Sequence, residues 1–219
     1  MSTLIEKFLT LKDNYRNFDT RACLKRMQRF RRAVEKVALQ GRPIALEILG
    51  SISFGIVEPG SDADCVLLHY CDLHGDGGEC PDDCPNFVFE KNALAEALAA
   101  QPGAQPFNIE FLDCVNLTSI EKHLASEPFV QDPILYRMLY YCTVGRPVNR
   151  PFFIRYCKIM ENNRDFMKGF IEWSSQALEA YLKTSTHRLS FEKYNQRIIS
   201  TGLALPKELQ AELKRYLEE

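Results

Sequence analysis

Nowhere does this chain run to the roughly 20 consecutive apolar residues that a membrane-spanning helix needs, so no span and no membrane partner is expected. Strong net charge is missing as well: 27 Lys and Arg stand against 29 Asp and Glu, a net charge of −2. That balance argues against broad binding to nucleic acid by phosphate neutralisation, and no sequence-specific DNA binding is expected. Histidines are few and scattered, at His69, His74, His123 and His187. No Gly-x-Ser-x-Gly elbow and no Walker-type loop is present, so a Ser/His hydrolase finds no support. Internal repeats and low-complexity segments are absent too. The opening Met-Ser-Thr-Leu-Ile-Glu-Lys lacks the basic region and apolar core of a signal peptide. The expectation is a cytoplasmic protein.

What is there fits a globular chain of one or two domains: 219 residues, 46% of them hydrophobic. Of eight cysteines, Cys23, Cys65, Cys114, Cys142 and Cys157 sit in apolar runs and read as small reduced core residues. Helical patterns dominate. They cover residues 3–16, about 20–40 with Asp19 as N-cap and Gly41 and Pro43 as its stop, and 86 to about 100 with Asn86 as cap and Pro102-Gly103 as its end. Three short strands are expected, at Ile44–Leu49, Asp62–Tyr70 and Pro106–Leu112. From Leu117 onward the spacing of Leu135, Met138, Leu139 and Cys142 is helical and no strand is expected. Gly145, Pro147 and Pro151 break that pattern, which suggests a division into residues 1–145 and 146–219.

The most informative stretch is Leu49-Gly50-Ser51, ten residues, then Asp62-Ala63-Asp64 at the head of an apolar run. If that run is a strand, period-2 alternation puts both carboxylates on one face, with Ala63 and Cys65 on the other. Gly50 allows close backbone approach to an anion. Ser51 is placed to cap a short helix, Gly55 to end it, and Pro59-Gly60 to turn the chain back. Paired carboxylates on a stiff strand suit hard cations, which take oxygen ligands. Nucleotidyl transfer needs such charge neutralisation and positioning more than covalent help.

On these residues the chain resembles the DNA polymerase beta-like nucleotidyltransferase superfamily. That pattern is an apolar residue, Gly-Ser, about ten residues, then Asp-apolar-Asp/Glu-apolar; here it becomes Leu49, Gly50, Ser51, Asp62, Ala63, Asp64 and Cys65. Gly55 and Ser61 match as well. Phe54 stands where many members carry an Arg before the inner glycine. The resemblance covers residues 43–70 and, more loosely, the rest of the first half. It implies an α+β fold: a small mixed nucleotidyltransferase-type sheet with flanking helices, followed by a helical C-terminal region.

The same resemblance implies a third acidic residue on a neighbouring strand. Glu110, between Ile109 and Phe111, alternates onto the polar face of an otherwise buried strand, where an unpaired carboxylate is costly. A metal or an ion pair with Lys or Arg would remove that cost. Asp113, the rival, is expected on the opposite face at the strand's end.

Three further features stand out. Lys25, Arg29, Arg32 and Lys36 make a basic stripe opposite Met27, Phe30, Val34 and Val37; it reads as a solvated face or as a surface for triphosphate, RNA or an acidic partner. Arg155, Tyr156, Lys158 and Arg164 are candidate triphosphate contacts or structural ion-pair formers. The insertion from Cys71 to Pro85 carries Cys71, His74, Cys80 and Cys84, a Cys₃His set with an unusual spacing. It reads either as a structural zinc site or as an acidic lid bearing Asp76, Glu79, Asp82 and Asp83. Because it follows the strand with Asp62 and Asp64, it is expected near the mouth of the cleft.

The function expected is a Mg²⁺- or Mn²⁺-dependent nucleotidyltransferase, moving a nucleoside monophosphate from an NTP such as ATP to a small-molecule, protein or RNA acceptor. Asp62, Asp64 and Glu110 are its candidate catalytic and metal-holding residues, and Gly50, Ser51 and Ser61 its candidate nucleotide contacts. The alternative is a catalytically idle module of the same fold that binds a nucleotide or a partner.

Overall fold

A computed structural model of the chain describes residues 2–40, 43–58, 60–74, 79–102, 107–126, 129, 131–150 and 152–218. Gly41, Pro59, Asp76, Gly103, Pro106 and Pro151, which carry expected breaks, turns or charge, lie outside the described residues. Among the described residues the fold is α+β, with ten helices and a four-stranded mixed sheet.

Helix α1 (Leu4–Arg16) starts at a capping box between Thr3 and Glu6. Helix α2 (Arg21–Ala38) is capped by Thr20, whose hydroxyl accepts the Cys23 N–H at 3.2 Å. The expected cap, Asp19, lies one residue outside and is held instead by Arg146 at 2.6 Å. Strand β1 (Ile44–Ile48), the single turn α3 (Gly50–Ser53) and strand β2 (Ala63–His69) follow. Helix α4 (Pro85–Ala99) has Cys84 at the cap position and Pro85 in its first turn, where the missing N–H is not needed; Asn86, expected as cap, is already inside it. After strand β3 (Ile109–Asn116) come α5 (Leu117–Ala125), α6 (Pro133–Val144), strand β4 (Arg146–Pro147), α7 (Ile154–Asn162), α8 (Arg164–Leu182), α9 (Ser185–Ser200) and α10 (Lys207–Leu217).

The sheet order is β3-β2-β1-β4, with β2 and β3 parallel and the other pairs antiparallel. The expectation of no strand beyond Leu117 fails at β4, which is two residues long and too short to leave a periodic signal. The expected division at 145/146 falls between α6 and β4, and β4 pairs with β1.

Alternation along the strands sends each residue set to a different layer. Ile44, Leu46, Ile48, Ala63, Cys65 and Leu67 pack with Phe30 and Val34 of α2 and Leu94 and Leu98 of α4. Ala45, Val66, Leu68 and Val115 pack with Leu135 and Leu139 of α6, Tyr156 of α7 and Phe166 of α8. A third cluster joins α1 to α8, α9 and α10 through Phe8, Tyr15, Leu178, Phe191 and Tyr216, with Phe54 inside it.

Strand β3 starts later than expected, runs on to Asn116 and carries a bulge. Asp64 pairs with Glu110 and Cys65 with Phe111, but Val66 pairs with Asp113, leaving Leu112 as the extra residue. One extra residue inverts the alternation beyond it. Asp113 therefore lies opposite Val66, on the face of β2 that also carries Asp64, and not on the far face as expected. Its carboxylate accepts the Tyr141 hydroxyl at 2.5 Å and lies 3.4 Å from Arg137 Nε.

Buried charge joins the sheet to the helices. Glu47, the fourth of the five residues of β1 and fully buried, accepts two hydrogen bonds from Arg150, at 2.6 and 2.9 Å. Lys12 of α1 donates to the carbonyls of Thr143, Val144 and Gly145 at 3.0, 3.0 and 3.2 Å, where α6 ends and its dipole favours a cation. Desolvation pushes the Glu47 carboxyl up to about 7, against the pull of Arg150. A folded pKa above the unfolded value means that this group favours folding most at low pH, and that the contribution declines as pH rises from about 4.5 to about 7. Arg150→Ala would strand Glu47 without its partner. We expect a loss of about 3–5 kcal/mol at pH 8 and a smaller loss at pH 5, where Glu47 takes up a proton, read by urea unfolding at the two pH values. Equal losses at both would show that the Glu47 charge is not what Arg150 balances.

Candidate functional site

Register and turn geometry assemble the acidic residues. In the parallel pair, Asp64 and Glu110 sit side by side on adjacent strands, which places their backbones about 4.8 Å apart. Asp62 precedes β2 by one residue, and the chain there is tied to β3 by the Ala63 N–H, which donates to the Asn108 carbonyl at 2.9 Å. Ala63 and Cys65 are fully buried against α2 and α4, so Asp64 points to the other face. Asp62 and Glu110 are exposed, and Asp64 is half-buried. The Asp64 carboxyl is held above its ordinary range, first by burial, then by the negative charges of Glu110 and Asp62. Among the described residues no Lys or Arg forms an ion pair with any of the three. The result is concentrated negative charge at one end of the sheet, although the three carboxylates are not among the groups whose donor atoms all lie within 4.8 Å of one another.

Gly50 presses against this cluster. The Leu49 N–H donates to the Asp64 carbonyl at 2.8 Å, and Gly50 follows with φ of +57°. A Cβ at Gly50 would collide with Asp64 Oδ2, so only glycine fits at this φ and this approach. Helix α3 begins at Gly50 with Leu49 in the cap position and no side-chain capping bond. Ser51 is thus inside the first turn and is not its cap. The Ser61 hydroxyl accepts the Glu58 N–H at 3.1 Å, and the Ser61 N–H donates to the Glu58 carbonyl at 3.1 Å, so Ser61 closes the turn that leads into Asp62.

That turn is held from below by Arg26, which in the sequence is masked by the more conspicuous basic stripe on the other side of α2. Arg26 is buried and donates to the carbonyls of Ser61, Asp62 and Glu58. A signal was present: Arg26 falls at helical spacing with Phe30 and Val34 on the apolar face, where an arginine must find acceptors. Within the stripe, Lys25, Arg32 and Lys36 are exposed, while Arg29 stacks over Phe107 at 4.8 Å and donates to the Leu98 carbonyl.

Asp64 and Gly50 form part of the wall of a cavity of about 400 Å³. Phe54 and Leu112 line it from the sheet side, Tyr140 from α6, Tyr181 from α8, and His187, Phe191 and Tyr194 from α9. Burial and the Asp64 charge both raise the Tyr181 phenol above its ordinary value. Phe54 packs edge-on to Phe8, Tyr15 and Phe191, with centroids 5.6, 5.7 and 5.4 Å away, so this position is part of an aromatic core. Of these α8 and α9 residues the sequence marks only His187, as one of four scattered histidines, since nothing in their local spacing separates a cavity wall from a helix core.

The candidate triphosphate contacts of α7 lie elsewhere. The Tyr156 hydroxyl meets the Tyr70 hydroxyl at 2.9 Å, and Arg155 pairs with Glu121. Tyr70 follows the opposite end of β2 from Asp64, so α7 is not at the carboxylates. Lys158 and Arg164 are exposed.

The cysteine-rich insertion also lies at that opposite end, contrary to the expectation that it borders the cleft. Cys71 is seven residues beyond Asp64 along an extended chain, or roughly 20 Å at about 3.3 Å per residue. There the donor atoms of Cys71, His74, Cys80 and Cys84 all lie within 4.8 Å of one another, a Cys/His cluster with the makings of a metal site. A second set, His69, Cys80 and Cys114, overlaps it at Cys80. His69 was noted in the sequence only as one of four scattered histidines, and strand direction and pairing are what bring it here. Glu79, read as part of an acidic lid, is paired with Arg137.

No protein-family model matches the chain, and no curated protein or solved structure matches it either.

Replacing Gly50 tests the tight seat of Asp64. Gly50→Ala would both force a non-glycine residue to φ of +57° and displace the Asp64 carboxylate. We expect a stability loss of at least about 1–2 kcal/mol in chemical denaturation. A variant as stable as the parent would show that Gly50 is not pressed on Asp64.

Proposed function

We propose that the protein is a metal-dependent nucleotidyltransferase, which moves a nucleoside monophosphate from an NTP to a hydroxyl or similar acceptor and releases pyrophosphate. The observation that carries this reading is the juxtaposition of Asp64 with Glu110 across two parallel strands, with Asp62 beside them and, among the described residues, no cationic side chain in an ion pair with the group. Asp62 and Asp64 would hold Mg²⁺ or Mn²⁺, with Glu110 completing the set. Bound there, two such ions would neutralise charge on the triphosphate and lower the pKa of the acceptor hydroxyl. The acceptor oxygen forms a bond to the α-phosphorus as the bond to the bridging oxygen of pyrophosphate breaks. Glu110 would take the acceptor's proton as base, or act as a metal ligand that lowers the acceptor's pKa. Gly50, Ser51 and Ser61 would contact the nucleotide, Gly50 by letting the backbone approach a phosphate, and the cavity of about 400 Å³ beside Asp64 would receive one of the two substrates. The reading places the enzyme in the cytoplasm, consistent with eight unpaired cysteines. The thiol- and imidazole-rich cluster at the far end of the sheet suits a softer ion and takes no part in this chemistry.

A second reading, a catalytically idle nucleotide- or partner-binding module, is favoured by one observation. Phe54, at the position where the related pattern often has an arginine, is committed to the aromatic core.

Each labelled NTP in turn, with Mg²⁺ or Mn²⁺, separates the two readings by pyrophosphate release and by label carried onto the protein or onto added acceptors. The transferase reading expects turnover, and Asp64→Asn is expected to lower it at least about 100-fold, the scale of removing one electrostatic stabiliser from a transition state, with circular dichroism unchanged. Full activity in Asp64→Asn would sink the two-metal mechanism. No turnover with any NTP would favour the idle module.

A further inference from the structure

We propose that Cys71, His74, Cys80 and Cys84 bind one zinc ion as a structural site, and that the overlapping His69–Cys114 pair does not ligate it. The four ligands converge from separate places. Cys71 stands just past the end of β2, Cys84 at the cap of α4, and His74 and Cys80 in the connection between them. Their donor atoms lie within 4.8 Å of one another. The Cys71 and Cys84 sulfurs are 3.7 Å apart. Two thiolates on a tetrahedral zinc, each at about 2.3 Å, are separated by about 3.8 Å, and a disulfide would hold the sulfurs at about 2.05 Å. His74 Nε2 is buried and, like both ring nitrogens of His69, has no hydrogen-bond partner, the state of a nitrogen aimed at an ion and costly for one that is not.

Donor number separates the two overlapping sets: the first offers the four ligands of a tetrahedral zinc and the second three. Cys114 is on β3, and its thiol donates to the Cys80 carbonyl at 3.3 Å, so this sulfur already has a bond to make. His69 lies with Nδ1 2.6 Å from a carboxylate oxygen of Glu90, both side chains buried. Together they brace Cys80 from the protein interior. Cys71 is braced in the same way: the Asn86 amide donates to its sulfur at 3.3 Å, and Asn116 bonds both its backbone N–H and its carbonyl, at 3.1 and 2.9 Å. Hydrogen bonds of this kind orient ligands around a metal. The site would tie the end of β2 to the start of α4 and, through Asn116, to the end of β3. Its chemistry is independent of nucleotidyl transfer, so it stands or falls apart from the activity assays.

Elemental analysis of the full chain, purified under reducing conditions and equilibrated with zinc, is expected to give about one zinc per chain. Replacement by Co²⁺ is expected to give visible d–d bands of a tetrahedral ion together with thiolate-to-cobalt charge transfer. Cys80→Ser and Cys84→Ser should each lose most of the zinc, Cys114→Ser should retain it, and a chelator should lower the Tm of the parent protein. Cobalt added to the parent chain needs no variant to fold, and a featureless spectrum with no bound metal would overturn the proposal. So would retention of zinc in Cys84→Ser with its loss in Cys114→Ser, which would move the ion to the other set.

Discussion

Parallel strands cannot be joined by a tight turn, and the path from β2 to β3 runs through the cysteine-rich insertion and α4. The register set by that crossover is the constraint on which the acidic site depends. With Asp64 opposite Glu110, both carboxylates share a face and Ala63, Cys65, Ile109 and Phe111 point to the layer of α2 and α4. A slip of one residue would bury Glu110 among them and turn Phe111 to the site. The register is held at both ends. Near the carboxylates, Ala63 bonds the Asn108 carbonyl; at the other end Asn116 bonds the backbone of Cys71. The bulge at Leu112 lies between these ties and sets the site apart from the rest of the strand pair. Below it the face carries Glu110, and above it Asp113, engaged by Tyr141 and Arg137.

Charge is distributed unevenly between the core and the site. Glu47, Arg150, Lys12, Arg26, Arg146 and Asp19 each have defined partners, and each fastens one segment to another. Among the described residues, Asp62, Asp64 and Glu110 form no such ion pair, although Arg26 lies close enough to Asp62 for their charges to interact. Local inconsistency of this sort tends to mark function in an otherwise self-consistent chain, and it is why the site stands out on physical grounds even though the comparisons with known proteins give no match.

Much of the arrangement was legible from residue order. The Gly50-Ser51 turn, the alternation at Asp62 and Asp64, the apolar neighbours of Glu110 and the helix-dominated second half all follow from local pattern, and the structure keeps them. What was not legible is non-local. The bulge that turns Asp113 is a property of pairing, not of β3 alone. Strand β4 exists because β1 offers it an edge. The insertion follows Asp64 closely in sequence but not in space, because a strand carries the chain away along its length. Caps at Thr20 and Cys84 replaced Asp19 and Asn86 where a residue good for capping had a better use, in an ion pair with Arg146 and in a bond to Cys71. Arg26 and the cavity-lining tyrosines depend on which helices meet, which a single sequence does not state.

The segment from Arg146 to Asn149 has a bearing on how copies of this protein behave toward one another. After the two paired residues of β4, the Val148 N–H donates to the Leu46 carbonyl at 2.9 Å, and the Asn149 side chain takes over the ladder, accepting from Leu46 N–H and donating to the Ile44 carbonyl. An amide side chain thus imitates a strand and occupies hydrogen-bonding positions along β1 that would otherwise be open. An uncovered row of such groups is a template for the strands of a neighbouring molecule. By finishing that border with a short strand and one asparagine, the chain obtains colloidal protection from a segment too small to be recognised as part of a sheet.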